Sequence, residues 1–369
     1  MSRVTIADVA RAAEVSTATV SNALNGTGRL TESTRARVRT VATALGYGGA
    51  ATAPRALGLA VTTYGPRPWN FADVPYFAQS ISAATAAAHK RGYALTALPS
   101  APAEVIWASI PVAGVLVLDS PADDSVVRIL RARGLPLAFD GRPAEVYPRE
   151  AWVDNDHRAT TREVLDHLAA QGARRIALMA GPGEEHYTRS CLAAHQEWCA
   201  ERGTRPRTIA LTFDDEEGRT LDPLMSGPQR PDAIYGIYDP CGRRVLASAA
   251  RCGIRVPDEL LLVCASEDPA YATTTPPLST VSLAPRHTAS AAVAALVGLI
   301  EQPQRTPASV IVPARLEIRT SSSTHMSTHI PDGWRGHEGR RTRGAVEPRT
   351  ARAVDRATER AAQLDAPPA

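Results

Sequence analysis

Residues 4–25 read VTIADVARAAEVSTATVSNALN, and this stretch predicts two short helices joined by a tight turn. Thr5 and Ser16 each stand where a helix N-cap belongs, and Asp8 follows Thr5 at the spacing of a capping box. Behind each cap, apolar residues recur at helical spacing, namely Ile6, Val9, Ala10 and Ala13, then Val20, Ala23 and Leu24. Two capped helices with one apolar stripe each are the pattern of a helix-turn-helix DNA reader.

The opposite face of the second helix carries short side chains that can approach base edges and phosphates: Thr17, Ala18, Ser21, Asn22 and Asn25. A third helix is expected from Thr31 through Val38 and Leu45 to Gly46, where it would close the small core. Residues 1–57 hold seven arginines against three acidic residues, so this end of the chain attracts a DNA backbone. The alternative is a three-helix domain for protein contacts, whose arginines form a solvated face.

Composition describes a globular protein and not a disordered one. The chain has 369 residues, is 44% hydrophobic and carries a net charge of +3, which allows two or three domains with full cores. The five cysteines have no paired C-x-x-C spacing, so we expect reduced, mostly buried thiols, no zinc site, no other metal and no cofactor. Neither an export signal nor an apolar stretch near 20 residues is evident, so we expect a cytoplasmic protein without a membrane partner.

From Ala56 onward, short apolar runs alternate with amphipathic segments, the signature of a parallel sheet with crossover helices. Four runs (57–62, 93–98, 114–118, 135–139) make a first half, with helices at 77–91 and 124–133. Four more (175–179, 208–212, 233–238, 260–264) make a second half, with helices at 158–171, 188–202, 242–253 and 286–301. Two doubly wound α/β lobes are therefore expected. Five glycines are predicted to end helices in the left-handed conformation: Gly92, Gly134, Gly172, Gly203 and Gly253.

Several segments resemble the LacI/GalR family of bacterial transcriptional regulators. Near the N-terminus they are residues 5–10, 15–16, 19–21, 24–26 and 34–35; further on they include Val153-Asp154-Asn155, residues 253–260 and residues 276–281. The resemblance spans about residues 3–320. It implies an all-α helix-turn-helix head followed by an α/β core shaped like a periplasmic binding protein, which dimerises and binds a small effector.

The expected organisation has four parts. Residues 1–47 form the helix-turn-helix domain, 48–56 a shortened hinge, 57–320 the two-lobed effector-binding and dimerisation core, and 321–369 a disordered basic tail. The hinge departs from the family pattern, because Gly48-Gly49 and Pro54 disfavour the usual short helix. Leu57 is therefore expected to begin the core strand.

The presumed effector cleft also departs from the family. The resemblance keeps Asp140 and Asp239 at usual acidic positions but puts Cys191 at an arginine position, Tyr238 at an asparagine and Ser266 at an aspartate. Leu283 stands near a usual glutamine. A sugar needs paired donors and acceptors in a buried site, so a monosaccharide is a poor guess. A more apolar or aromatic ligand could instead stack on Tyr238, Tyr76 or Phe77. The alternative is a cleft without a ligand.

These observations predict a dimeric, sequence-specific regulator on a near-palindromic operator, a repressor because most of the resembling family represses, controlled by a small-molecule effector. Thr17, Ala18 and Asn22 would read bases, while the phosphate set is Ser16, Ser21, Asn25, Thr31 and Thr34, and further contacts are assigned to Thr5, Ile6, Arg29 and Tyr47. Asn22 replaces a common family arginine and so predicts a changed base preference. The alternatives are an effector-independent regulator and a small-molecule binder with impaired DNA recognition. Recognised enzyme motifs are missing, so catalysis is not expected.

Overall fold

Three short helices form the N-terminal part of the protein. The computed structural model describes residues 4–25, 27–45, 47, 55–62, 70–98, 104–212, 214–215, 217–304, 306 and 309–323. The helices are α1 (Ile6–Ala12), α2 (Thr17–Asn25) and α3 (Glu32–Ala44). A cluster of seven buried residues joins them: Val9, Ala10, Ala13, Val20, Ala23, Val38 and Ala42.

The predicted N-caps of these helices are confirmed. The Thr5 hydroxyl accepts from the Asp8 amide, and the Asp8 carboxylate accepts from the Thr5 amide, which completes the capping box. Ser16 Oγ accepts from the amide of Thr19 at 3.1 Å, and Thr31 Oγ1 accepts from the amide of Thr34 at 3.3 Å. The third helix ends before the predicted position, so Leu45 lies beyond it and is 38% exposed. Gly46 lies outside the described residues.

The first sheet has six parallel strands in the order β11-β5-β4-β3-β1-β2. They are β1 (Ala56–Val61), β2 (Ala94–Ala97), β3 (Gly114–Leu118), β4 (Leu137–Asp140), β5 (Glu150–Asp154) and β11 (Val310–Ile311). Three described helices lie between these strands along the chain: α4 (Pro75–Lys90), α5 (Glu104–Trp107) and α6 (Ser125–Ala132). This sheet and its helices form the first lobe.

The second sheet has the order β12-β10-β9-β8-β6-β7, and only the β10–β12 pair is antiparallel. Its strands are β6 (Ile176–Ala180), β7 (Arg207–Ala210), β8 (Ala233–Gly236), β9 (Leu261–Ala265), β10 (Ser279–Ser282) and β12 (Arg315–Glu317). Its helices are α7 (His157–Ala170), α8 (His186–Glu201), α9 (Asp222–Ser226) and α10 (Pro240–Arg251). The expected pair of doubly wound lobes is therefore confirmed.

One helix packs in the first lobe, although its place in the sequence predicted the second. Helix α11 (Pro285–Glu301) follows the strands of the second sheet, and the sequence grouped it with that half. In the structure its Ala289, Val293 and Leu296 pack with residues of α4 and the first sheet. The chain crosses between the lobes three times, after β5, after β10 and after β11, so order in sequence does not equal order in space.

The predicted helix ends agree with the structure at all five glycines, whose φ values lie between 62° and 98°. The five cysteines are free thiols and four of them are buried, as expected. Sequence analysis did not delimit four short strands, β5, β10, β11 and β12, or the short helices α5 and α9. Residues 48–54 of the expected hinge and 324–369 of the expected tail lie outside the described residues.

Candidate functional site

The outward face of α2 carries the side chains predicted to read DNA. Thr17 and Ala18 are exposed, and Ser21 and Asn22 are half-buried. The Asn25 backbone belongs to the helix, but its side chain lies outside the described residues. Short side chains at the start of such a helix let the backbone approach a major groove closely.

Asn22 is already engaged within the protein. Its Oδ1 accepts from the Thr27 hydroxyl at 3.1 Å, and its side chain lies against the backbone of Gly28. Arg35 from α3 donates to the carbonyls of Asn22, Thr27 and Gly28 at 3.3, 3.2 and 2.8 Å. The Arg35 guanidinium therefore holds the C-terminal end of α2 and the turn that follows. This fixes the orientation of Asn22.

The other predicted DNA contacts fall into two groups. Exposed members are Thr5, Ser16, Arg29 and Thr31. Half-buried members are Ile6, Thr34 and Tyr47, of which Ile6 and Tyr47 pack against the helical core. Arg11 pairs with Asp8 at 3.1 Å, so that part of the predicted basic patch is locally compensated.

A cleft lies between the two lobes at the carboxyl ends of the parallel strands. Asp119 follows β3, Asp140 and Asp154 end β4 and β5, and Ser266 follows β9. The cavity has a volume of about 390 Å³, within the range of small-molecule sites. Ligands of open α/β sheets bind at this edge, because loops and helix starts from several strands converge there.

Six of the seven residues predicted to bind the effector line this cavity: Tyr76, Phe77, Asp140, Tyr238, Asp239 and Ser266. Leu283 lines it as well. Cys191 does not, and that prediction is wrong in geometry: the thiol is buried in the core of the second lobe. Tyr187 lies one helical turn before Cys191 in α8 and lines the cavity in its place. Burial raises the pKa of Cys191 to about 12, so it remains a neutral thiol.

Asp154 is the best-satisfied carboxylate of the cleft. His157 Nε2 lies 2.7 Å from its Oδ1 and His186 Nδ1 lies 3.0 Å from its Oδ2, while the Arg142 amide donates to Oδ2 at 3.0 Å. Burial alone would raise the pKa of Asp154, but the histidine hydrogen bonds outweigh burial and hold it below its usual range.

The same three side chains are the group that offers metal-ligand atoms close together, all within 4.8 Å of one another. Their atoms are paired with each other: both rings face the Asp154 carboxylate, and His186 Nε2 lies 3.3 Å from Ser190 Oγ. A metal ion would have to replace the short His157–Asp154 contact with coordinate bonds. We therefore assign the trio to hydrogen bonding.

Asp140 and Asp119 are neighbours on adjacent strands, since the Asp119 amide donates to the Asp140 carbonyl at 2.8 Å. The Asp140 carboxyl accepts from Thr288 Oγ1 at 3.0 Å and Tyr76 Oη at 3.4 Å. Burial raises the pKa of Asp140 to about 7. Burial and then the charges of Glu185, Asp154 and Asp140 raise the pKa of Asp119 well above its usual value.

The second lobe supplies a wall of aromatic and internally bonded groups. Tyr187 Oη donates to the Ile237 carbonyl at 2.5 Å, and Tyr238 Oη pairs with Thr188 Oγ1. The two tyrosine rings are perpendicular, with centroids 5.9 Å apart. Ser266 Oγ donates to Asp239, and Glu267 accepts from the Leu283 amide at 2.7 Å.

The sequence analysis assigned no effector contact to seven lining residues, although it quoted two of them, Asp154 and Asn155, for the family resemblance: Asp119, Asp154, Asn155, His157, Tyr187, Asp214 and Glu267. A signal was present for two of them, because Asp119 and Asp154 each directly follow or end a buried apolar run. Polar residues at the carboxyl end of a parallel strand are candidates for ligand contacts. In the described part of the chain, no helix has the length and apolar character needed to cross a membrane.

Two family models match the chain. The model of bacterial regulatory proteins of the lacI family matches residues 5–48, and the periplasmic binding protein-like domain matches residues 165–322. Together these segments cover more than half of the chain.

Individual proteins that resemble the chain are transcriptional regulators as well. The HTH-type transcriptional repressor PurR of Shigella dysenteriae serotype 1 is 27% identical over 342 residues, which cover 86% of this chain and 96% of PurR. A complex of the transcriptional regulator CelR with cellobiose has a TM-score of 0.65 at 24% identity, over 86% of this chain and 100% of CelR. The lac repressor dimer bound to operator and the anti-inducer ONPF has a TM-score of 0.67 at 21% identity, over 87% and 100%.

The last two similarities show the shared fold, and the PurR alignment shows relationship along the sequence. Since the similarity runs from the first capped helix to the last strand of the second sheet, the chain belongs to the lacI family of bacterial regulatory proteins, which are DNA-binding transcriptional regulators.

Proposed function

We propose that the protein is a cytoplasmic, homodimeric repressor that binds a near-palindromic operator and responds to a small molecule in the interlobe cleft. The observation that carries the DNA-binding part is the α2 face, where Thr17 and Ala18 are exposed beside a fixed Asn22. The repressor role and the dimer are supported by the similarity to PurR and to the lac repressor dimer.

In this proposal, Thr17, Ala18 and Asn22 read base edges, while Ser16, Ser21, Asn25, Thr31 and Thr34 contact phosphates. Thr5, Ile6, Arg29 and Tyr47 complete the proposed interface. Asn pairs with adenine through Oδ1 and Nδ2 together, whereas arginine pairs with guanine. The Asn22 Oδ1 that accepts from Thr27 has a second lone pair, so it can also accept from an adenine amino group.

The test is the selection of bound duplexes from a random DNA pool at near-physiological salt, followed by affinity measurements on the recovered site. A palindrome with two half-sites is expected. Asn22→Ala should lower affinity by about tenfold and flatten the preference at one base pair in each half-site. Asn70→Ala is the matched control, because Asn70 is exposed and lies outside the three-helix segment.

Recovery of DNA without a shared motif would contradict the operator proposal and favour a ligand-binding protein with impaired DNA recognition. Unchanged operator affinity across a metabolite panel would instead favour the effector-independent regulator. The cleft supports an effector-responsive protein, because ligand contacts from both lobes would favour one relative arrangement of the lobes over another.

A further inference from the structure

The charge of the interlobe cleft is one-sided. Six carboxyl side chains line the cavity: Asp119, Asp140, Asp154, Asp214, Asp239 and Glu267. Among the described lining residues there is one imidazole, His157, and neither lysine nor arginine. The sequence predicted a cleft with fewer polar groups, whereas the described lining is rich in carboxyls and holds neither lysine nor arginine.

Two of these carboxyls have no cation within the described part of the protein. Asp119 and Asp140 form no ion pair with a described residue, and the groups that face Asp140 are two hydroxyls, from Tyr76 and Thr288, and other carboxyls. Asp140 is buried and Asp119 is half-buried, and such neighbouring carboxyls cannot both ionise easily, because each carries a desolvation cost and they repel one another. A positively charged ligand would remove both penalties.

Aromatic rings line the same cavity. Tyr76 and Phe77 are perpendicular with centroids 5.2 Å apart, and Tyr187 and Tyr238 form a similar pair in the opposite lobe. Ring faces attract ammonium groups through their quadrupole, and aromatic rings beside carboxylates form the usual cage for an organic cation. The rings also offer apolar surface to the body of the ligand.

His157 brings no free charge to balance the carboxyls, because it is already paired with Asp154. Its ring is 5% exposed and lines the cavity, and its Nε2 lies 2.7 Å from Asp154. An ionised carboxylate only accepts hydrogen bonds, so Nε2 carries the proton in this pair. In the neutral ring Nδ1 is then an acceptor, and it has no hydrogen-bond partner among the described residues. This nitrogen is itself inaccessible, so the part of His157 that bears on a ligand is its ring and its bond to Asp154.

We propose that the effector is an organic ammonium ion with an apolar or aromatic body, held between the Asp119 and Asp140 carboxyls and the aromatic rings of both lobes. The proposal rests on the proposed function, because it names the ligand class of the same cleft. A neutral sugar would leave the carboxyls without compensation, whereas an amine supplies both the charge and the N–H donors.

The test uses matched amine and alcohol probes on the purified full chain. The pairs are tyramine and tyrosol, phenethylamine and 2-phenylethanol, and pentylamine and 1-pentanol, titrated by calorimetry at pH 7.5. At least one amine should bind ten times or more tightly than its alcohol. Asp119→Asn and Asp140→Asn should each lower that affinity at least tenfold, while Asp123→Asn, an exposed aspartate outside the cleft, should not change it.

Equal binding of amine and alcohol in all three pairs, or no binding of any amine, overturns the proposal. Loss of amine binding in Asp123→Asn as well as in the cleft variants also overturns it, because the effect would then be general. Folding of each variant is checked by its melting temperature, and the two cleft variants are independent of one another.

Operator binding, measured in parallel, separates this proposal from the proposed function. If the protein binds a palindromic operator that a neutral sugar such as glucose releases and no amine does, the ammonium proposal fails and the regulator proposal stands. If an amine binds but no operator is recovered, the ligand class holds and the DNA-binding proposal fails.

Discussion

The two lobes contribute different chemistry to one cavity. The first lobe brings Asp119 and Asp140, carboxyls that form no ion pair with any described residue, whereas the second brings Tyr187 and Tyr238, whose hydroxyls bond to protein atoms. In the first wall these two carboxyls lack a compensating charge among the described residues, whereas in the second wall both tyrosine hydroxyls have partners, although the carboxyls of Asp239 and Glu267 also lie there. We therefore expect Asp119 and Asp140 to favour a positively charged ligand, while the rings of Tyr187 and Tyr238 mainly limit its shape.

The largest expected effect concerns Asp154. Unlike Asp119 and Asp140, this carboxylate of the first lobe has histidine partners. Asp154→Asn removes the charge that bonds to His157 and lies 3.0 Å from His186 Nδ1, so it should destabilise the protein by about 3 kcal/mol at pH 7. Urea unfolding measures the change. Asp123→Asn should stay within about 0.5 kcal/mol. A similar value for both variants would show that Asp154 is no different from a surface carboxylate.

Asp140→Asn should change stability in the opposite direction. Burial raises the pKa of Asp140 to about 7 from an ordinary value of 3.8, so the folded state holds a proton that the unfolded state releases between these values. The stability that Asp140 contributes is full below pH 4 and is lost as pH rises through 7. As the pH rises from 4.5 to 7.5, the variant should therefore gain about 3 kcal/mol in its free energy of unfolding relative to the parent.

Thermal unfolding of both proteins across this pH range measures that gain. The groups that bear on Asp140 are Tyr76 from α4, Thr288 from α11, and Asp119 and Asp154 from the neighbouring strands. A stability difference that does not vary with pH would contradict an uncompensated Asp140 and remove the contrast between the lobes.

Tyr187→Phe tests one of the bonded hydroxyls of the second wall. The substitution keeps the ring but leaves the buried Ile237 carbonyl without its donor at 2.5 Å, which should cost about 1.5 kcal/mol. Tyr147→Phe is a matched control, because Tyr147 is 47% exposed and bonds only to the nearby Glu145 side chain through its hydroxyl. Equal costs for the two variants would mean that the second wall is not held by this hydroxyl.

The smallest expected effect concerns the segment between β10 and α11, where the chain crosses from the second lobe to the first. Ala284 precedes α11 with φ 54° and ψ 48°, a left-handed conformation that an L-residue adopts at a cost. Ala284→Gly should raise the free energy of unfolding by about 0.5–1 kcal/mol, measured with urea. Ala270→Gly, in an ordinary backbone region, should not increase it. A loss of stability at position 284 would show that rigidity of the crossing outweighs its strain.

Local signals made the N-terminal helices predictable. Thr5, Ser16 and Thr31 cap helices through bonds that span three residues, so the information lies within one turn of sequence. The long apolar runs of the sheets were similarly evident. The membership of α11 in the first lobe was not, because three chain crossings separate sequence order from spatial order.

Cavity residues at the ends of strands could be predicted from the sequence. On a helix the prediction failed, because it depended on which turn of the helix faces the cavity. Asp140, Tyr238 and Ser266 follow or end strands, so aligning them with the family pattern predicted their place in the cavity correctly. Cys191 lies four residues after Tyr187 on the same helix, and one turn was enough to move it into the core. That the described lining holds neither lysine nor arginine is a property of both lobes together, so no single sequence motif could predict it.

Asn155 gives the pair of lobes a mechanical property. This buried side chain stands at the first crossing, and its Nδ2 donates to the carbonyls of Leu283 and Val312, at the second and third crossings, at 3.1 and 2.8 Å. The three segments that connect the lobes are thereby hydrogen-bonded to one another at a single residue. Sliding of one lobe past the other would break both of these hydrogen bonds, whereas rotation about Asn155 would not, so we expect the lobes to move as a hinge.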